Sequence, residues 1–337
     1  MKNKRYAGMV IGCGPIGVQW ETRTGRVAPR SHAGAIARGA HTTLTALVDP
    51  DPVRLKEAGI LFPRARLYRS AAEALKKEKP DIVAIATPPK THMALTKLAV
   101  RAKVKMIICE KPLASNIREA AALRKMLSGE DAPIFVLNLQ RRFWSLFERL
   151  RQDIAKGKFG PIRQVTAYYD NGLYNTGTHA LDAALYLLGT RAVKASGLLN
   201  PNVLTHPQND PDIDGIIETE NGARIILQGF DKGAWGILEL RVYGDAGTVS
   251  ITEHGYTIER FKPGRRQTMP VLLKKSSIRR RESFVGGAHD EVVRCYEKRI
   301  QPRSGYMNGI EVLAALDALT ASAKKNGTAV QIKNFKQ

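Results

Sequence analysis

The segment YAGMVIGCGPIG, residues 6–17, constrains this chain more than any other stretch. AGMVIG (7–12) reads as a strand, and Gly12, Gly14 and Gly17 follow it directly, with Pro15 and Ile16 in the turn. In such a G-x-G-x-x-G loop the first glycine permits a tight turn. The second lets the backbone approach a pyrophosphate, and the third lets the next helix pack close to the strand. The helix N-terminus then offers free N–H groups to phosphate oxygens. A merely structural glycine turn is the plainer alternative, and the surrounding pattern weighs against it. HTTLTALVD (41–49), DIVAIATP (81–88) and VKMIICE (104–110) read as further strands, separated by helical stretches such as SAAEALKKEK and THMALTKLAVRA. Nearly continuous apolar strands alternating with helices imply a doubly wound parallel sheet buried on both faces.

Asp49 ends the second strand. An acid there hydrogen-bonds the hydroxyls of an adenosine ribose and repels a 2′-phosphate, which favours NAD over NADP. The usual spacing is about 20 residues, whereas Asp49 lies 32 residues beyond Gly17. The excess fits an insertion, roughly WETRTGRVAPRS (20–31), carrying Arg23, Arg26 and Arg30. An arginine folded back from it over the ribose would accommodate NADP.

The 337 residues suggest two domains, and 43% apolar with 25% charged residues is ordinary for a soluble globular protein. After residue 160 the pattern changes: IRQVTAYYD (162–170), DGIIETE (214–220), ARIILQGF (223–230) and GILELRVYG (236–244) read as sequential strands. ENGA (220–223) supplies an Asn-Gly hairpin turn. The helical patterns at 178–188 and 309–327 would cover one face of a mainly antiparallel sheet. We place the first domain at residues 1–125 and the second at 126–337.

Cys13, Cys109 and Cys295 are widely spaced, which argues against a disulfide framework and for a reducing compartment. The N-terminus lacks the pattern of a signal peptide, and no apolar run reaches the roughly 18 residues needed to span a membrane. A soluble cytoplasmic protein is expected. The net charge is +22, and residues 262–281 hold eight Lys or Arg and no acid. That window suits anionic ligands or is a solvated surface loop; no nucleic-acid motif accompanies it.

VKMIIC leads into Glu110, Lys111 and Pro112. A lysine at the carboxyl end of a parallel strand points into the ligand crevice. Desolvation and a nearby cationic nicotinamide would lower its pKa, letting it exchange a proton with a hydroxyl while hydride leaves the same carbon. The proline can aim the lysine through a cis bond. Here the chain resembles the Gfo/Idh/MocA oxidoreductases, which include glucose–fructose oxidoreductase and inositol dehydrogenases. The resemblance covers VIGCGPIG, Asp49, ATPPKTHMALTKLAV (86–100), CEKPLASN (109–116), QRRF (140–143), KFGPI (158–162), THALDAALYLLG (178–189) and the C-terminal ALDALTASAKKNGTAVQI.

That resemblance implies a Rossmann domain followed by an open-faced α/β domain whose exposed sheet builds a homodimer or homotetramer. It implies a cofactor border at Thr87, Pro88 and His92, a catalytic Lys111 within the Glu110-Lys111-Pro112 motif, and an arginine near the interdomain cleft at Arg142. It also implies that His179 contacts a substrate hydroxyl. Relatives with a clear acid–base pair carry an aspartate four residues before that histidine, where this chain has Asn175. An amide binds a sugar hydroxyl but is no proton acceptor, so proton transfer falls to Lys111 and His179. Relatives acting on nucleotide-linked sugars frequently carry the NxGxH form seen at 175–179.

Asp182 lies three residues after His179 at a helix start. It suits the positive helix end, as a cap or dipole partner, and equally a site wall. The remaining histidines, His32, His41, His206, His254 and His289, show no metal-ligand spacing, so no metal is expected. The primary expectation is NAD(P)-dependent hydride exchange with a carbinol carbon of a sugar, cyclitol or nucleotide sugar. Alternatives are an NAD-retaining glycoside hydrolase or lyase using transient oxidation, and a non-catalytic dinucleotide-binding protein.

Overall fold

The computed structural model describes residues 5–25, 27–201, 210–233, 236–263, 271–277 and 282–335. His206, Arg26 and most of the basic 262–281 window lie outside them. The chain divides into two compact units, Met1–Phe143 with Arg280–Gly309 and Trp144–Arg279 with Ile310–Gln337. The helices in chain order are α1 (His32–Arg38), α2 (Pro52–Leu61), α3 (Ala71–Glu78), α4 (His92–Arg101), α5 (Ile117–Leu127), α6 (Ser145–Ala155), α7 (Thr178–Leu188), α8 (Gly286–Lys298) and α9 (Tyr306–Ala323).

The first unit is built on β1 (Tyr6–Ile11), β2 (Thr42–Val48), β3 (Arg66–Tyr68), β4 (Ile82–Ile85), β5 (Met106–Cys109) and β6 (Ile134–Leu137), ordered β3-β2-β1-β4-β5-β6. All five pairings are parallel. The order reverses between β1 and β4, the switch point at which such sheets bind ligands. β4 and β5 are buried at every residue, which is why they read as unbroken apolar runs. Two strands escape that reading. β3 has three residues and no fully buried side chain, and β6 lies beyond residue 125. β6 pairs with β5, and α8 returns from the C-terminal half to this unit.

The structure explains the long spacing to Asp49. Val18 N and Gln19 N bond Gly14 O at 3.0 and 3.2 Å, and Gln19–Thr22 then form a 3-10 turn that leaves the helix path. The chain returns at Ser31, whose hydroxyl caps α1 by accepting from Gly34 N at 3.0 Å. His32 N donates to Ile16 O and Ala33 N to Gly17 O, both at 3.0 Å. The helix begun at the glycine loop thus resumes as though the intervening residues were looped out. Buried Glu21 pins the loop: its Oε2 accepts from Arg30 N, Ser31 N and Ser31 Oγ at 3.1, 3.0 and 2.7 Å. Its Oε1 pairs with Arg38. A Cβ on Gly34 would lie 2.0 Å from that carboxylate, so the position requires glycine.

The second unit is a nine-stranded sheet of β7 (Ile162–Asp170), β8 (Ala192–Leu199), β9 (Ile213–Thr219), β10 (Arg224–Phe230), β11 (Leu238–Gly244), β12 (Gly247–Thr252), β13 (Thr257–Lys262), β14 (Val271–Ser277) and β15 (Val330–Gln331). Its order is β14-β13-β12-β11-β7-β10-β9-β8-β15, and only β7 with β10 is parallel. The Asn221-Gly222 turn joins β9 to β10 as an antiparallel hairpin, with Gly222 at φ +85°. α7 packs on β7, β10 and β11. α9 approaches β8 and β9 closely enough that a Cβ on Gly215 would lie 2.4 Å from Leu319. The opposite face shows Leu198, Ile216 and Tyr243 at 57, 44 and 38% exposure. No described helix is long and apolar enough to cross a membrane.

Replacing Glu21 with Ala leaves two backbone N–H groups and a hydroxyl near α1 without their acceptor. We expect a loss of about 2–4 kcal/mol, read as a lower urea midpoint at unchanged slope.

Candidate active site

The glycine loop is shaped for close approach. Gly12 has φ +100°, and a Cβ on it would lie 2.4 Å from Ala86 O. A Cβ on Gly17 would lie 1.9 Å from Gly12 O, so the third glycine is what lets the helix start pack on the strand end. Around Gly14 the nearest atom to such a Cβ is Arg54 Nη1 at 4.0 Å, which leaves its backbone open to a ligand. Pro15 and Ile16 carry the turn, with Trp20 N bonding Pro15 O at 2.8 Å. Asp49 stands beside the loop: Oδ2 accepts from Cys13 N at 2.7 Å and Oδ1 from Asp51 N at 2.9 Å. The carboxylate is therefore fixed at the sheet's carboxyl edge. This donor set fits a dinucleotide: open backbone at Gly14 for phosphate, an oriented acid for ribose. Two of the inserted arginines are engaged locally. Arg23 lies over the Trp20 ring at 5.9 Å, and Arg30 Nη1 donates to Glu21 O at 3.0 Å.

Two more loops meet the same sheet edge. Thr87 and Pro88 follow β4, and Glu110, Lys111 and Pro112 follow β5. The Lys111–Pro112 peptide is cis, and Lys111 is half-buried. His92, at the start of α4, has no exposed surface. Its Nδ1 lies 2.8 Å from Pro112 O and its Nε2 2.8 Å from Thr87 O. Both ring nitrogens thus face carbonyls of the two loops; the neutral ring has a single N–H to donate to one of them, and it packs between the loops rather than presenting an edge to a ligand. Burial pushes its pKa down, against the pull of those carbonyls. Burial pushes the Glu110 carboxyl up, but hydrogen bonds from His32 and Asn138 outweigh it and leave the group below the usual range. Arg142 lies in a 3-10 turn after β6, 6% exposed, with Nη1 donating to Arg303 O at 3.1 Å.

In the second unit, Asn175 lies in a π-helical turn, Leu173–Gly177, that runs directly into α7. The continuous helical path sets Asn175, His179 and Asp182 four and three residues apart, hence along one side. Asn175 and His179 are half-buried and Asp182 is 2% exposed. Asp182 is not the cap, because the helical path starts at Leu173. That work falls to Asp210, whose carboxylate accepts from Tyr174 N at 2.8 Å and Asn175 N at 2.9 Å. Gly172, at φ +94°, admits it: a Cβ there would lie 2.3 Å from Asp210 Oδ2. Tyr174 is held in turn by its hydroxyl, which donates to Asp317 at 2.7 Å. Asp210 follows the stretch 202–209 and carries no motif, so no spacing rule exposes it.

Residues 9–137 match the oxidoreductase family with an NAD-binding Rossmann fold, and residues 151–332 match its C-terminal α/β domain. The chain belongs to the Gfo/Idh/MocA oxidoreductase family. Residues 9–137 of its first unit are the family's NAD-binding Rossmann domain. A D-apiose dehydrogenase of Paraburkholderia graminis is 25% identical, covering 98% of this chain and 91% of that protein. An inositol 2-dehydrogenase of Saccharopolyspora erythraea is also 25% identical, covering 72% of each. The fold matches the aldose–aldose oxidoreductase of Caulobacter crescentus, crystallised with glycerol, at a TM-score of 0.81 and 19% identity, covering 97% and 100% of the two chains.

The lowered pKa values of His92 and His289 set a pH dependence. Below about pH 6.5 the unfolded chain binds protons at these rings that the folded chain resists. Stability is thus fully present above that pH and falls below it, by up to about 1.4 kcal/mol per pH unit for each ring. Glu110 and Glu291, both lowered, keep their contributions until pH drops below the carboxylate range. Asp290, raised by burial, works in the opposite sense. The slope is therefore read as a difference: urea midpoints between pH 7.5 and 5.5 should fall more steeply for wild type than for His92→Gln.

Proposed function

We propose that this chain oxidises a secondary or ring hydroxyl of a sugar or cyclitol. NAD, when bound, supplies the acceptor for the hydride leaving the carbinol carbon. Lys111 takes the hydroxyl proton, so that one C–H and one O–H bond break as the C=O bond forms. His179 hydrogen-bonds the same hydroxyl, Asn175 a neighbouring one, and Asp182 orients the histidine from its buried position. His92 acts on the cofactor indirectly, by holding the Thr87–Pro88 and Glu110–Pro112 loops. Arg142 contributes positive charge to the substrate side.

The observation that carries the reading is Lys111 at the carboxyl end of β5, in a sheet whose glycine loop and Asp49 are built for NAD. Similarity to dehydrogenases of a branched sugar and of a cyclitol supports the substrate class. The proposed substrate class takes in sugars, cyclitols and their nucleotide-linked derivatives. The exposed apolar side chains of the second sheet support a homodimer or homotetramer. Three free, buried cysteines support a reducing cytoplasmic setting.

The test is NADH formation across a panel of polyols, aldoses, inositols and nucleotide sugars. Lys111→Ala should lower kcat by about a hundredfold or more while NADH fluorescence titrations remain near wild type. Retained turnover would remove the lysine from this role. A paired test concerns assembly: Leu198→Asp with Ile216→Asp should shift sedimentation to a monomer. An unchanged sedimentation coefficient would put the contact elsewhere.

A further inference from the structure

Glu110 lies at the head of a buried polar chain. Its Oε1 is 2.8 Å from His32 Nε2 and accepts from Asn138 Nδ2 at 2.6 Å. His32 Nδ1 is 2.9 Å from His289 Nε2. The four residues are 7, 0, 2 and 5% exposed for Glu110, His32, Asn138 and His289. They come from the end of β5, the start of α1, the segment after β6, and α8.

The chemistry fixes where the protons are. An ionised carboxylate only accepts, so His32 Nε2 carries the proton and donates it toward Glu110. The tautomer in which His289 Nε2–H donates to His32 Nδ1 satisfies the 2.9 Å contact between the rings. That leaves His289 Nδ1 as an acceptor, and it is buried with no hydrogen-bond partner. Burial drives the His289 pKa far down and keeps that ring neutral. The remaining groups facing the carboxylate are Lys111 beside it, His92 from α4 and the buried Cys109 thiol.

We propose that His32, backed by His289, is a positioning residue for the reaction assigned to Lys111. It holds Glu110 as a fixed, ionised carboxylate behind the lysine, and rests on the dehydrogenase reading above. The chain acts as a clamp, and its far end, His289 Nδ1, has no hydrogen-bond partner among the described residues. An anion locked beside the lysine offsets the positive nicotinamide and keeps the amine basic enough to take the hydroxyl proton. Polar groups are therefore buried here at the expense of apolar packing, behind a residue that needs an aimed charge.

The full-length protein is assayed with NAD and the hydroxyl panel, comparing His32→Leu, His32→Gln and Glu110→Gln. His32→Leu should lower kcat about 30-fold, the order expected for a lost hydrogen bond to a charged group, with NADH affinity unchanged. The Gln side chain keeps a donor at the Nε2 position, so His32→Gln should recover most of the loss. The Leu and Glu110→Gln losses should not multiply in the double variant. A merely structural role predicts lower stability with wild-type kcat, or equal losses for Leu and Gln, and either result overturns the proposal. Where His32→Leu does not fold, His289→Phe carries the same comparison against His289→Gln. Nitrogen-15 spectra of the histidines need no substrate. Neutral Nε2–H tautomers for both rings between pH 6 and 8 support the clamp, and an Nδ1–H tautomer on His32 refutes it. A wild type with no turnover on the panel but with these tautomers would sink the dehydrogenase reading and leave the clamp standing.

Discussion

The contact on which the first unit depends is the one between Gly17 and the carbonyl of Gly12, where a single added carbon would lie 1.9 Å from an oxygen. Only there can the chain leave β1, turn and lay a helix start against the strand it has just made. The approach aligns the first-turn N–H groups with the crevice at the carboxyl edge of the sheet. It also brings Cys13 N to the Asp49 carboxylate, so the acid meant for a ribose is oriented by the same loop that faces the phosphates. The insertion tests how firmly this geometry is required. Thirteen residues separate Val18 from His32 in sequence, yet the hydrogen bonds from His32 and Ala33 back to Ile16 and Gly17 rebuild the helix across the gap. A buried carboxylate is kept inside the protein to hold it so.

Much of the first unit is legible in the sequence because its constraints are local. Buried parallel strands must be apolar on both faces, and β4 and β5 announce themselves for that reason. The glycines stand where a side chain would collide. β3 is less visible because its three residues include no fully buried side chain, and β6 because its partner, β5, precedes it by a whole helix and its first residue is only half-buried. In the second unit the strand IRQVTAYYD and the helix at 178–188 are read to the residue, the strand by its alternating buried face and the helix by an apolar run buried at every position but His179. The parallel pairing of β7 with β10 is not readable, because it is decided by sheet order, which leaves no mark on either strand.

The candidate site divides in the same way. Asp49, Lys111 and His179 announce themselves by motif. His32, Asn138 and His289 do not, since a buried network is assembled from elements scattered over the chain and no spacing rule links positions 32, 110, 138 and 289. His92 is found by motif but its work differs from the expected one: a ring with no exposed surface and a carbonyl at each nitrogen organises loops, and reaches a ligand only through them. Asp182 shows the converse. Its place near a helix start suggested capping, and the π-helical turn moves the start upstream and hands the cap to Asp210.

The position of Asn175 then acquires a sharper meaning. Its backbone N–H is already committed to Asp210, so the turn is anchored whatever side chain stands there. The backbone anchor therefore does not depend on which side chain stands at this position. An aspartate would bring a second negative charge close to the Asp210 carboxylate, and its ionised form would be disfavoured by that neighbour. An amide avoids the repulsion, keeps both donor and acceptor for hydroxyl recognition, and gives up proton transfer. In the reading proposed above, proton transfer falls to Lys111, next in sequence to the Glu110 carboxylate, which is buried together with two imidazoles and an amide. On that reading, neutral polar groups serve hydroxyl recognition and a locked carboxylate serves proton transfer, and each group carries the charge that its own surroundings can stabilise.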